Sequence, residues 1–331
     1  MIFILFIALN LFIIFKLDSI RNIIKIYDFP DSKRKFHSEP MFIGGGIIIF
    51  TNYLLIIIYN LLSEYPDAII NLNTYQSIFS WVFGSIFIFI LGIYDDKKNL
   101  NGNIKFLLQS IIYISVIYFD KNLILNNLDF KSLQINISLG SYSFIFTYLC
   151  LMIFSNAFNM LDGINLQTGV YTILIFLFIC LKIGFSYDLV LLILSILTYL
   201  YLNFKHKLFL GDSGTYLLSF IISLIFIKTY NSDKSFYCDE IFMIMILPGL
   251  ELIRLFLFRA LKGKNPLSPD RNHIHHLIQN KFKKFNFVKI SILTNSIYFI
   301  FCSLFLIYSN IIFIILSIIF YIISIKLLLK N

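Results

Sequence analysis

Long apolar stretches alternate with short polar breaks along the whole of the 331-residue chain. A helix needs about 20 mostly apolar residues to cross a bilayer, with roughly 17 as a floor. By that measure eleven segments qualify, at about 1–16, 41–62, 77–94, 104–119, 141–160, 168–185, 188–204, 214–229, 240–258, 287–307 and 309–328. The pattern predicts an all-α polytopic membrane protein with about eleven transmembrane helices, forming one domain over residues 1–331. The ninth segment holds Pro248 and Gly249 and should be broken or kinked, because proline removes a backbone donor. No convincing internal repeat is visible.

Composition agrees with the pattern. Apolar residues make up 59% and charged residues 14%, and mean hydropathy is +0.84. A water-soluble domain carries roughly a quarter charged residues, so a soluble globule is excluded. The run Met1–Phe15 lacks a basic lead-in and is followed by Lys16 and Arg21, so it reads as a retained span rather than a cleaved signal. Cys150, Cys180, Cys238 and Cys302 show no paired spacing and read as small buried hydrophobes, which removes zinc motifs from consideration.

Charge then orients the bundle. The segments 16–40, 95–105, 161–167, 205–213 and 259–286 together carry 18 of the 27 Lys and Arg, against 5 in the connections on the other side. The basic side is cytoplasmic by the positive-inside bias, placing the N-terminus outside and the C-terminus inside. The net charge of +9 is mostly this asymmetry, attracted to anionic headgroups, and implies no nucleic acid.

The chemistry-bearing residues fall on that same side, although the topology was assigned without them. Asp95 and Asp96 end the third span, and adjacent carboxylates at a membrane surface can hold a divalent cation or act as a base. Leu100, Lys105 and Gln109 extend the pair into a longer D-D-x-x-x-L-x-x-x-x-K-x-x-x-Q spacing. Asp212 stands between Gly211 and Ser213-Gly214, where backbone N–H groups can approach an anion and the carboxylate can ligate a metal. Asn156, Asn159 and Asp162 recur every three residues, so a helix would align them on one face, suited to a nucleobase edge or ribose hydroxyls. His273, His275 and His276 follow Arg271 and could bind pyrophosphate or move a proton. Lys33, Arg34, Lys35 and His37 precede Gly44-Gly45-Gly46 and serve equally well as topology determinants or as ligands. Each element has a plainer reading, as a helix cap, a turn or an interhelical hydrogen bond; the combination is what carries specificity.

Taken together, these motifs resemble the polyprenyl-phosphate N-acetylhexosamine-1-phosphate transferases, relatives of the phospho-N-acetylmuramoyl-pentapeptide transferase. The likeness runs from about Asp28 to Leu277, and Arg271-Asn272-His273-Ile274-His275-His276 is similar to the hexosamine branch. The resemblance implies an enzyme of the bacterial inner membrane with one site open to the cytoplasm. It would move a hexosamine-1-phosphate from a UDP-N-acetylhexosamine, UDP-GlcNAc first among them, to polyprenyl phosphate, releasing UMP and initiating a cell-surface glycan such as an O-antigen. It further implies Mg²⁺, or Mn²⁺, on Asp212 with Asp95, and catalytic roles for Asp95, Asp96, Asp162, His273, His275 and His276. Lys35, Lys105, Asn156, Asn159, Asn165 and Arg271 would bind substrate. A homodimer is left open. Two departures stand out: Asn165 replaces a second aspartate of the family's D-G-x-D-G string, and Glu251 replaces an aspartate three residues after Pro248. The alternatives are the phospho-N-acetylmuramoyl-pentapeptide transferase of peptidoglycan synthesis and, from another class, a lipid-linked-sugar transporter or flippase, which would carry ionisable groups near the bilayer midplane.

Overall fold

In the computed structural model, which describes residues 2–30, 39–63, 68–233, 235–263 and 272–329, the apolar segments are helices. The first three are α1 (Ile2–Phe15), α2 (Leu17–Ile24) and α3 (Gly45–Leu62). There follow α4 (Tyr75–Lys98), α5 (Gly102–Phe119), α6 (Ser143–Leu161), α7 (Gln167–Ile183) and α8 (Tyr187–Phe204). The chain continues with α9 (Gly211–Asp233), α10 (Cys238–Ile244) and α11 (Ile246–Leu261). It closes with α12 (Ile274–Lys281), α13 (Phe287–Tyr308) and α14 (Ile312–Leu329). Many of these helices are apolar on every face, which suits lipid on one side and protein on the other, and a helix satisfies its backbone internally where no water can. Polar residues at the breaks set the starts: Thr74, Asn101 and Asn286 accept first-turn N–H bonds of α4, α5 and α13. The protein is an all-α polytopic membrane protein. Among the described residues eight helices are long and apolar enough to cross, or ten if each bent pair counts as one span.

Both bends differ in detail from the sequence pattern. The chain turns by 73° after α1 into α2, within residues predicted as loop. Leu17, Ile20 and Ile24 sit at i, i+3 and i+7 and give that short helix an apolar stripe, of which Leu17 is buried. The second bend, also 73°, falls at Met245, three residues before Pro248. Proline cannot donate to the carbonyl four residues back, and its ring crowds that oxygen, so α10 stops at Ile244. Pro248 then lies in the first turn of α11, where a missing N–H costs nothing. The released Ile244 carbonyl accepts the Tyr171 hydroxyl at 2.5 Å.

The bundle closes around α9, which is 94% buried and packs against α3, α4 and α6. Helix α5 is tied to α9 near both ends. Lys228 reaches Asp120 at 2.7 Å at one end, and Lys105 reaches Asp212 at 3.2 Å at the other. Two small antiparallel pairs complete the fold. Strands β1 (Tyr27–Asp28) and β2 (Met41–Phe42) pair Tyr27 with Phe42, and Ile43 bridges to Phe209, bringing this strand pair beside the start of α9. Strands β3 (Asn127–Phe130) and β4 (Ile135–Ser138) form a hairpin where the sequence suggested only a loop.

Candidate active site

The start of α9 is where the predicted residues meet, and small residues make the meeting feasible. Gly211 adopts φ +79, a left-handed conformation that favours glycine. Gly92 of α4 lets Ser213 approach so closely that a Cβ there would stand 2.3 Å from its Cα. With α4 and α9 in contact, Asp96 accepts the Asp212 N–H at 2.7 Å and the Ser213 N–H at 3.1 Å. Its carboxylate thereby caps the positive end of α9.

Asp95, one residue earlier, points differently. It is buried, accepts the Leu100 N–H at 2.9 Å and meets the Lys105 ammonium at 2.6 Å. The same ammonium lies 3.2 Å from Asp212 Oδ2, so one lysine holds two carboxylates from helices that are over a hundred residues apart in sequence. The Asn159 amide donates to Asp212 Oδ1 at 2.7 Å and to the Thr215 hydroxyl at 2.8 Å. Every Asp212 oxygen is thus aimed by a neighbour.

A cavity of about 670 Å³ opens on these carboxylates. Asp95, Asp96, Asp162, Asn165, Asp212 and His276 all line it. Asp162 accepts the Thr168 hydroxyl at 2.9 Å, and its carboxyl is pushed up to about 7, first by burial and then by the charges of Asp212 and Asp96. Asn165 faces the His206 ring at 3.1 Å. The histidine cluster divides its work. His276 reaches the cavity, while His275 is buried directly beneath Gly163, so closely that no larger residue could replace that glycine. Burial, followed by the flanking His276, His273 and Arg254 charges, holds His275 well below the usual histidine range, and it is neutral near pH 7. His273 stacks on His275 at 5.4 Å and turns its Nδ1 toward Glu251, 3.8 Å away.

Other expected residues stand elsewhere. Asn156 does not line the cavity: it donates to Gln109 at 3.3 Å and to its own helix at Met152, linking α6 to α5. Lys105 and Asn159 touch Asp212 but are likewise not part of the cavity wall. Glu251 is also away from the cavity; it accepts the Ile274 N–H at 2.7 Å and Arg254 at 2.7 Å, together with the Tyr321 hydroxyl. Lys35 and Arg271 lie outside the described residues.

Residues 78–230 match the family described as glycosyl transferase family 4. The chain is 28% identical over 257 residues to the undecaprenyl-phosphate alpha-N-acetylglucosaminyl 1-phosphate transferase of Salmonella typhi, covering 74% of this chain and 67% of that one. It is 29% identical over 201 residues to the protein of the same description from Escherichia coli O157:H7, covering 57% and 54%. It is 27% identical over 255 residues to a probable undecaprenyl-phosphate N-acetylglucosaminyl 1-phosphate transferase of Bacillus subtilis, covering 74% and 67%. These similarities support the superfamily that the motifs resemble, the polyprenyl-phosphate hexosamine-1-phosphate transferases. It spans about half to two thirds of the length of these curated relatives.

Against that superfamily background, several cavity residues were not singled out by their sequence. Tyr27, Asp28 and Met41 come from the β1–β2 pair, Asn203 and His206 from the end of α8, and Asn286 and Phe287 from the start of α13. His206 carried a usable signal, since it is one of only five histidines and sits in a predicted cytoplasmic loop. Asn203 works locally, accepting the Leu166 N–H at 2.8 Å and so holding the loop after Asp162. The β1–β2 residues carried none.

Proposed function

We propose that this protein transfers N-acetylglucosamine-1-phosphate from UDP-GlcNAc to undecaprenyl phosphate at the cytoplasmic face of the bacterial inner membrane, yielding UMP and an undecaprenyl-diphospho-sugar that starts a cell-surface glycan. One observation carries the reading: Asp95 and Asp212, remote in sequence, share the Lys105 ammonium at the floor of a polar cavity. The cavity has room for a nucleotide sugar, and amides and histidines stand around it. The relatives' descriptions supply the acceptor and the sugar.

In phosphoryl transfer the protein's task is positioning and charge neutralisation. Asp162 and Asn165 face the donor side, and neutral His275 and Gly163 shape the wall behind it. The donor set also fits a hard divalent cation. Carboxylate oxygens dominate and no thiolate is near, which suits Mg²⁺ or Mn²⁺. Asp212 and Asp95 already converge on one cationic group, the Lys105 ammonium, whereas Asp96 is turned to backbone N–H groups, so Asp212 with Asp95 would hold the ion. Among the described residues no group of three His, Cys, Asp or Glu is placed to hold a metal ion by itself. When bound, such an ion neutralises the diphosphate. The loops around the site belong to the Lys- and Arg-rich side, which supports a cytoplasmic orientation.

The test is UMP release from membranes supplied with undecaprenyl phosphate and a panel of UDP-sugars. UDP-GlcNAc should be the preferred donor, EDTA should stop the reaction, and added Mg²⁺ or Mn²⁺ should restore it. Absence of UMP with every donor would overturn the assignment.

A further inference from the structure

We infer that α2 (Leu17–Ile24) is an interfacial helix that binds anionic phospholipid, and that Arg21 passes this contact on to two walls of the cavity. The kinetic side of the inference rests on the transferase reading above; the lipid contact is tested independently of activity.

Spacing alone makes α2 amphipathic. Leu17, Ile20, Ile23 and Ile24 fall within about a third of the helix circumference, and its four polar residues occupy the rest. The apolar arc is wider than the surface the bundle covers. Leu17 is buried and Ile20 and Ile24 are half-buried, but Ile23 at the edge of the arc is 81% exposed. Helix α1, which leads into it, is apolar apart from the buried Asn10 and exposes Phe12 and Phe15, as a lipid-facing span should. The 73° bend then turns α2 away from the axis of that span and along the bilayer surface, with Ile23 continuing the apolar exposure. Lys16 before the helix and Lys25 at its left-handed cap are exposed, and neither makes an ion pair among the described residues. Long basic side chains at that level reach headgroup phosphates while their stems lie against acyl chains. An exposed isoleucine framed by two ammonium groups fits a lipid of net negative charge. A free anion would satisfy the lysines but leave Ile23 in water.

Arg21 carries this contact inward. Its guanidinium donates to the Lys207 carbonyl, lies 5.8 Å from the centre of the Phe42 ring and pairs with Asp18 at 3.2 Å. Phe42 stands between Met41 and Ile43, which line the cavity, and Lys207 stands between His206 and Phe209, which also line it. The two segments are joined directly as well, since the Phe209 N–H donates to the Phe42 carbonyl at 2.8 Å and the Gly45 N–H to the Phe209 carbonyl at 2.9 Å. One guanidinium thus touches both cavity walls from the α2 side. An eight-residue helix is not stable by itself, and α2 fully buries only Leu17, so its seating depends on what covers its outer edge. A lipid that binds α2 better when it is seated favours that position, and with it the contacts that hold His206 and Phe209 in place. Arg21 is absent from the cavity lining and acts as a positioning residue.

The test places the full chain in nanodiscs of phosphatidylcholine, alone or with phosphatidylglycerol, at a fixed content of undecaprenyl phosphate. Hydrogen exchange of the amides of residues 17–26 reads the lipid contact. Phosphatidylglycerol should slow this exchange in the unaltered protein and in Arg21→Gln, but not in the double variant Lys16→Gln, Lys25→Gln. UMP release reads the coupling. In the unaltered protein phosphatidylglycerol should lower the KM for UDP-GlcNAc by about fivefold, the worth of one lysine at an anionic surface, with kcat little changed. Arg21→Gln should lose that KM response while keeping the slowed exchange, and Arg21→Lys, which can still donate to the Lys207 carbonyl, should recover part of it. Exchange that is equal in the two lipids, or a KM response that persists in the double-lysine variant or in Arg21→Gln, overturns the inference. A KM that rises with phosphatidylglycerol reports only bulk repulsion of the anionic donor and overturns it as well. If no lipid composition yields UMP, the transferase reading fails, while the exchange still reports whether α2 binds anionic lipid.

Discussion

Asp96 accepts the backbone N–H of Asp212 at 2.7 Å, so the second residue of the acidic pair positions the very helix that carries the principal carboxylate. Its second oxygen takes the Ser213 N–H, and Gly211 lies close enough that a Cβ would stand 2.7 Å from the Asp96 carboxylate. Adjacent in sequence, Asp95 and Asp96 thus differ in what they touch: Asp95 meets Lys105, and Asp96 meets backbone.

A capping role makes Asp96 graded in its response. Asp96→Asn keeps one acceptor for the α9 terminus and should retain measurable UMP release. Asp96→Ala removes both acceptors and should cost about 0.5–2 kcal/mol of stability along with most of the activity. Thermal melting in detergent, read beside UMP release, checks this. Equal loss in the two variants with unchanged melting would instead make Asp96 a direct participant.

Asp95 and Asp212 should respond all-or-none. Asp212→Asn and Asp95→Asn each remove a charge from the group gathered at Lys105 while keeping shape. Each should lower turnover by roughly a hundredfold or more, the scale of losing one electrostatic group at a reacting centre. The variant proteins should remain in the membrane fraction. Normal turnover by both would remove this cluster from the chemistry.

These contrasts show how far the sequence could be read. Hydrophobic length alone located the helices, because lipid leaves a backbone few other options. The convergence of Asp95, Lys105, Asn159 and Asp212 was legible because ionisable groups at the mouths of spans are costly without partners. What periodicity could not resolve was direction on a helix surface. Asn156 and Asn159 are three apart and share a helix face, yet one meets Gln109 and the other Asp212, since a sixth of a turn is enough to change neighbours. The break in the ninth span was legible from Pro248 itself, whereas the helix at Leu17–Ile24 depends on a short apolar spacing that a span-length criterion averages away. Glu251 was legible only as a departure from the pattern after Pro248; that its carboxylate contacts α12 and α14 could not be read from spacing.

Asp162 gives the site a pH signature. Its folded-state carboxyl is raised from 3.8 to about 7, chiefly by burial. Between those values the folded protein holds a proton that the unfolded chain releases, so this group's stability contribution is present at low pH and is lost as pH rises through 7. Asp162→Asn should flatten the dependence of melting temperature on pH across about 4–7, where the folded Asp162 carboxyl keeps a proton that the unfolded one has lost. Identical slopes for the two proteins would show that Asp162 titrates normally.

Glu251 lets a distant helix be tested for its effect on the site. Its carboxylate binds Arg254 and the Ile274 N–H, each at 2.7 Å, while Arg254 also donates to the Asn272 carbonyl at 2.5 Å. The Tyr321 hydroxyl of α14 donates to the same carboxylate, so the last helix helps hold the segment that carries His273, His275 and His276. Tyr321→Phe removes one hydrogen bond and should cost about 1 kcal/mol. Glu251→Gln leaves Arg254 without its buried anion and should cost about 3–5 kcal/mol. Both should loosen the histidine segment before the acidic cluster, because Asp95, Asp96 and Asp212 are tied to one another through α4, α5 and α9. Limited tryptic cleavage at Lys281, Lys283 and Lys284, at the end of α12, should therefore accelerate in the order wild type, Tyr321→Phe, Glu251→Gln, with cleavage near Asp212 unchanged. Equal acceleration at both places would mean that Glu251 supports the whole bundle and not the histidine segment in particular.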